Sequence, residues 1–301
     1  MKRKPLWHHN VGIQVFQVFL FVIKVQNPTL AFLQTIPAVP GLCKNLSGPY
    51  STGMIPGEII SRRYQTLSTA LIPVGDAVLR EVEQISCVYD PLQYARRPWE
   101  AYLHRFCRGP RKVLFLGMNP GPWGMAQTGV PFGEVDAVRD WMGLEAPVEQ
   151  PKYPHPARPV QGFNCSRSEV SGRRLWGLMR HRFGDAATFF RDHAVLNYCP
   201  LVFMGESGRN ITPDKLPVRL RKPLEDACTA ALADAITALR PQHLVGIGRF
   251  AQERLEHARA AASKIETESP VRILHPSPAS PAANRGWAET VTRQLEEAGI
   301  W

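Results

Sequence analysis

No C-x-x-C pair occurs anywhere in the 301 residues, and the six cysteines (Cys43, Cys87, Cys107, Cys165, Cys199, Cys228) lie far apart along the chain. That spacing excludes the usual zinc and iron–sulfur frameworks, so no metal and no other cofactor is expected. Isolated thiols fit a reducing compartment, where cysteine packs in the core as a small apolar side chain. Long apolar runs are missing as well. The most apolar, residues 11–23 (VGIQVFQVFLFVI), ends at Lys24, well short of the roughly 20 residues a membrane span requires. Lys2, Arg3 and Lys4 ahead of it mimic a signal peptide, but no clear small-residue cleavage pattern follows, and no membrane association is expected. Repeats and low-complexity arrays are absent too.

Acidic residues are the minority, 26 against 36 basic, for a formal charge of +10. Removing residues 1–58 takes away Lys2, Arg3, Lys4, Lys24 and Lys44 against Glu58 and leaves 31 basic and 25 acidic residues, a net +6. The balance suits a polyanionic partner without proving one. Residues 1–58, with Pro40, Gly41, Gly48, Pro49, Gly53, Pro56 and Gly57, read as a poorly ordered extension, and residues 59–301 as one α/β domain.

Within that domain four short apolar runs read as buried strands: Lys112–Met118, Ala194–Asn197, His243–Gly248 and Val271–His275. Helical periodicity separates them. Leu175, Leu178, Met179 and Phe183 share a face, as do Leu224, Cys228, Ala231, Leu232, Ala235, Ile236 and Leu239; Arg249–Ala262 and Trp287–Ala298 read as further helices. Alternating strands and helices predict a three-layer α/β/α sandwich with a mainly parallel central sheet, whose ligands gather beyond the strands' carboxyl ends. The unusual polar loops all fall there: Gly117-Met118-Asn119-Pro120-Gly121-Pro122, Asn197-Tyr198-Cys199-Pro200 and His275-Pro276-Ser277-Pro278. A Gly/Pro loop alone merely turns a chain, and a lone histidine is as readily a cap. Asn119, Asn197 and His275 converging on one pocket favour a functional site.

The stretches KVLFLGMNPGPWGMAQTGVPFGEV (112–135), NYCPLVFM (197–204), GRNITPDKLP (208–217) and LHPSPASPAANRGW (274–287) resemble the single-strand-selective monofunctional uracil-DNA glycosylases. These are a branch of the uracil-DNA glycosylase superfamily, and the likeness spans about residues 80–300 in the right order. It implies a uracil-DNA-glycosylase-like fold and a base-excision-repair enzyme that flips uracil and 5-hydroxymethyluracil out of single- or double-stranded DNA and leaves an abasic site. Chemistry agrees: breaking an N-glycosidic bond needs a water positioner beside the sugar and a donor beside the departing base, and neither task needs metal. By resemblance Asn119 holds the water, His275 donates to uracil O2, Asn197 reads O4 and N3, and Phe132 stacks on the base, with Met118 and Gly121 beside it. No lysine lies in the three motif loops, which excludes a Schiff base formed there and implies a monofunctional hydrolase.

The resemblance makes the loop Pro276-Ser277-Pro278-Ala279-Ser280-Pro281, onward to Arg285, the element that enters DNA. Many members carry an arginine four residues after the histidine where this chain has Ala279, which weakens its expected grip on duplex more than on single strands. Lys215, Arg219, Arg221 and Lys222 are read either as phosphate contacts or as ordinary solvated surface. Gly121 occupies the position where uracil-specific relatives place a tyrosine against C5, so it either opens space there or merely allows a tight turn. Two other readings stand beside this one: a mismatch-directed thymine/uracil glycosylase, disfavoured by His275, and a non-catalytic binder of single-stranded DNA. A monomer located with DNA inside the cell is expected, in cytoplasm or nucleoid if bacterial and in the nucleus if eukaryotic.

Overall fold

A computed structural model describes residues 53–262 and 265–301. The 11–23 run and most of the expected extension lie outside the described residues. The elements run α1 (Pro56–Glu81), β1 (Cys87–Tyr89), α2 (Pro91–Tyr94), α3 (Arg96–Phe106), β2 (Val113–Gly117), α4 (Met125–Thr128), α5 (Val170–Phe183), α6 (Ala186–Asp192), β3 (His193–Asn197), β4 (Val202–Met204), β5 (Asn210–Ile211), α7 (Val218–Leu239), β6 (His243–Ile247), α8 (Arg249–Ala261), β7 (Val271–Ile273), α9 (Pro281–Asn284) and α10 (Trp287–Glu297).

The first helix begins inside the stretch read as extension. Pro56 supplies a preset φ at a position with no helical N–H to lose, and Glu58 accepts from the Ile55 N–H at 3.2 Å. Gly57 donates to the Cys107 carbonyl at 2.7 Å, and a Cβ on it would collide with the Leu103 carbonyl. The Pro/Gly composition that suggests a loose tail therefore marks a helix start tied to the end of α3. From there α1 buries Ile60, Tyr64, Leu67, Leu71 and Val78 at helical spacing against α7.

All four expected strands form, and they pair in parallel in the order β3-β2-β6-β7. Every residue of β2 and β3 is buried, as continuous apolar runs in a sheet covered on both faces should be. Phe115 turns toward α6, its ring 6.4 Å from that of Phe189, and its neighbours Leu114 and Leu116 point to the opposite face. On the α6 side Trp176, Phe190, Tyr102 and Phe106 extend an aromatic layer. On the other side α1, α7 and α8 pack successively. The five cysteines among the described residues are all free and buried.

Sequence periodicity misses a second sheet, antiparallel in the order β1-β4-β5. Its strands are two or three residues long, too short for alternation to register. It matters because it sets Leu201 and Asn210 beside the carboxyl ends of the main sheet. The chain leaves β2 on one side to form β3 and returns on the other to form β6, so the topological reversal, and the crevice it opens, sits above β2.

Candidate active site

Register brings the first two motifs together: Gly117, the last residue of β2, pairs with Asn197, the last of β3. A Cβ on Gly117 would strike the Asn197 side-chain oxygen and the ring of Phe132. Only glycine lets that amide and that ring meet over the strand end. Asn119 follows two residues later, and its Nδ2 donates to the carbonyls of Leu201 at 3.3 Å and Pro120 at 3.4 Å. Carbonyl oxygens only accept, so these contacts fix which end of the amide is which and leave Oδ1 as the available acceptor.

Asn197 is buried. Its backbone carbonyl accepts from the Tyr64 hydroxyl at 3.2 Å, its Nδ2 meets only the Met125 sulfur at 3.2 Å, and its Oδ1 is buried without a partner. Leaving such an acceptor unsatisfied costs about 1–3 kcal/mol, an expense that a bound donor removes. Phe132 stands at φ +53, left-handed backbone that costs a non-glycine residue roughly 1–3 kcal/mol. The N–H of Glu134 at 2.7 Å and the Trp176 indole at 2.9 Å hold its carbonyl there.

His275 lies two residues beyond β7, with its ring against Gly248, whose φ of +92 and missing side chain permit the approach. The Ser277 N–H donates to its Nδ1 at 3.1 Å. In a neutral ring the proton must then sit on Nε2, and burial pushes the imidazole below its usual pKa, which favours that neutral form. The hydrogen bond fixes one tautomer, with an N–H donor at Nε2.

A cleft of about 340 Å³ joins Met118, Asn119, Gly121, Phe132, Asn197, His275 and Ser277. Pro276, Pro278, Ala279, Ser280, Pro281 and Arg285 do not line it. They form the adjoining loop, where Pro278, Ala279, Pro281 and Arg285 are exposed and the Ser280 hydroxyl caps α9 at the Ala283 N–H, 3.4 Å away. Arg174 of α5 braces this loop through the carbonyls of Pro276 at 3.1 Å and Ser277 at 3.3 Å and the Asn284 side chain at 2.8 Å. The basic stretch is already paired: Lys215 with Asp214, Arg219 with Glu81, Arg221 with Glu225, Lys222 with Asp226. Those pairs favour the solvated-surface reading of it.

The cleft also holds Met125, Glu169, Ser171, Asn210 and Thr212, which sequence reasoning passes over. Asn210 and Thr212 fall within GRNITPDKLP, so the resemblance itself carried that signal. Glu169 and Ser171 sit at the start of α5, ahead of the apolar face that begins at Leu175, where no pattern marks them. The space beside Gly121 is not empty: a Cβ there would collide with the Glu169 carboxyl. Neither the open-cavity nor the turn-only account of this glycine is complete, since it makes room for a neighbouring side chain.

No group of three or more His, Cys, Asp or Glu among the described residues is placed to hold a metal ion, and no helix among them is long and apolar enough to cross a membrane. The sequence pattern of the uracil DNA glycosylase superfamily matches residues 104–296. Over 219 residues, 72% of this chain, the sequence is 50% identical to the single-strand selective monofunctional uracil DNA glycosylase of Bos taurus and 48% to that of Mus musculus, covering 79% and 77% of those proteins. The crystal structure of wild-type SMUG2 from Pedobacter heparinus superposes with a TM-score of 0.53 at 14% identity, over 78% of this chain and 99% of that one, a likeness of fold. The chain belongs to the uracil-DNA glycosylase superfamily, in its single-strand-selective monofunctional family.

Proposed function

We propose that the cleft takes a uracil or 5-hydroxymethyluracil base flipped out of single- or double-stranded DNA and hydrolyses its N-glycosidic bond, leaving an abasic site for base-excision repair. The observation that carries this reading is the convergence of three side chains on one cleft: an acceptor left available at Asn119, an unsatisfied amide at Asn197 and an N–H donor at His275. That set matches a water, the N3–O4 edge of uracil, and O2.

Asn119 orients the water through Oδ1, and because an amide is too weak a base to strip its proton, departure of the uracil anion drives the step. Negative charge then gathers on O2, where the neutral His275 Nε2–H meets it, an interaction of the kind worth about 2.7–4 kcal/mol of barrier. Phe132 stacks on the base for roughly 1–3 kcal/mol. Cytosine presents the reversed donor–acceptor pair to Asn197 and is rejected wherever that amide is kept from turning. The loop from Pro276 to Arg285 fills the space the base vacates. The protein acts as a monomer, in a reducing compartment that holds DNA.

Release of free base from single- and double-stranded oligonucleotides carrying uracil, 5-hydroxymethyluracil or thymine, followed by alkaline cleavage, tests this. Multiple turnovers on the first two and little on thymine are expected. Binding without turnover would make the protein a single-strand binder, and a borohydride-trapped adduct would replace the monofunctional mechanism.

A further inference from the structure

Glu169 enters the cleft from the residue that precedes α5. One carboxylate oxygen accepts from the Ser171 N–H at 3.3 Å, which caps the helix. The rest of the side chain lies across the Gly121–Gly124 turn. A Cβ on Gly121 would collide with the carboxyl, 3.0 Å from its carbon, and a Cβ on Gly124 would come within 2.9 Å of Cγ. Two glycines thus make room for one carboxyl, two residues past Asn119 in the loop that carries the chemistry. A cap alone needs no such clearance, since an Asp or Ser caps a helix end from outside a cleft.

The proposed base orientation leaves one edge unread. Asn197 takes N3 and O4, His275 takes O2, and N1 bears the sugar next to Asn119, so the C5–C6 edge turns toward Gly121 and the carboxyl beside it. We propose that Glu169 is a specificity-determining residue whose carboxyl hydrogen-bonds the hydroxyl of a 5-hydroxymethyl substituent. The inference rests on the cleft being a uracil pocket. Burial raises the Glu169 pKa above the ordinary carboxylate range, and charged or neutral the group keeps an oxygen that accepts. A 5-methyl group has no donor, so thymine would displace water from the carboxyl and leave the oxygen beside Gly121 without that partner, which disfavours thymine although it fits.

The test compares kcat/KM for 5-hydroxymethyluracil and 5-ethyluracil, of nearly equal shape but without the hydroxyl, in the same single-stranded oligonucleotide. The wild-type chain should prefer the hydroxymethyl base by about tenfold or more, as one lost hydrogen bond to a charged or strongly polar group predicts. In Glu169→Met, or in Glu169→Ala should that chain not fold, the preference should collapse toward unity, while Glu169→Gln, still polar, should keep most of it. A purely structural role would slow both substrates together and leave their ratio alone, and an unchanged ratio in Glu169→Met or Glu169→Ala overturns the assignment. If the wild-type chain releases neither uracil nor 5-hydroxymethyluracil, the pocket reading fails and takes this one with it. If it releases both but does not prefer hydroxymethyl to ethyl, only the role of Glu169 fails.

Discussion

Arg174→Ala removes the brace between α5 and the loop expected to enter DNA. Of its three hydrogen bonds, the one to Asn284 is exposed and contributes little. The two to the carbonyls of Pro276 and Ser277 are partly buried, and at about 0.5–1.5 kcal/mol each they account for roughly 1–3 kcal/mol of loop order. Local opening of residues 276–285 should then rise about 5- to 150-fold, which hydrogen exchange at the loop amides reads directly. Ser277 is also the donor that fixes the His275 tautomer, so a loosened loop should lower turnover. Duplex substrate, which must be held open, should suffer more than single strands. Lysine cannot match the guanidinium fork, so Arg174→Lys should recover only part of the loss. Wild-type exchange rates together with an unchanged duplex-to-single-strand ratio in Arg174→Ala would refute the bracing role.

Asn119→Ala and His275→Ala should each slow turnover while largely preserving DNA affinity, with a loss near 2.7–4 kcal/mol of barrier at His275; single-turnover rates beside binding isotherms check both. Affinity should fall steeply with added salt as phosphate contacts release counterions, and activity should survive chelation, so EDTA inhibition reversed by zinc or magnesium would contradict the chemistry. Because burial lowers the His275 pKa below its ordinary 6.5, the unfolded chain takes up that proton first as the pH falls. The wild-type chain should therefore lose stability relative to His275→Gln between about pH 6.5 and the lowered value, with the difference constant above that window. Urea midpoints at about pH 8 and about pH 5 measure it.

The four main strands and the long helices α5, α7, α8 and α10 are legible in the sequence because burial on both faces writes continuous apolar runs and burial on one face writes a 3.6-residue period. Asn119, Asn197 and His275 stand out for a related reason: they lie at strand ends or in the glycine- and proline-rich loops that follow, where sequence spells out backbone need, whereas Phe132, which follows α4, is marked only by the family resemblance. The start of α1 at Pro56 was obscured because the same proline that opens a helix also populates loose tails. The short sheet β1-β4-β5, which brings Leu201 to Asn119, left no period to read.

What the sequence by itself determined was the layered sheet, its polar carboxyl ends and the chemical types gathered there, since each follows from local pattern. Only the tertiary structure decided their polarity. Which end of the Asn119 amide is available depends on the Leu201 carbonyl, 82 residues away. The bracing of the loop after His275 depends on Arg174, more than 100 residues from it. The surroundings of Gly121 depend on Glu169, whose carboxyl fills the space a side chain would take. Hydrogen-bond direction and steric clearance are set by partners in space, and no local pattern in the chain encodes which distant residue supplies them.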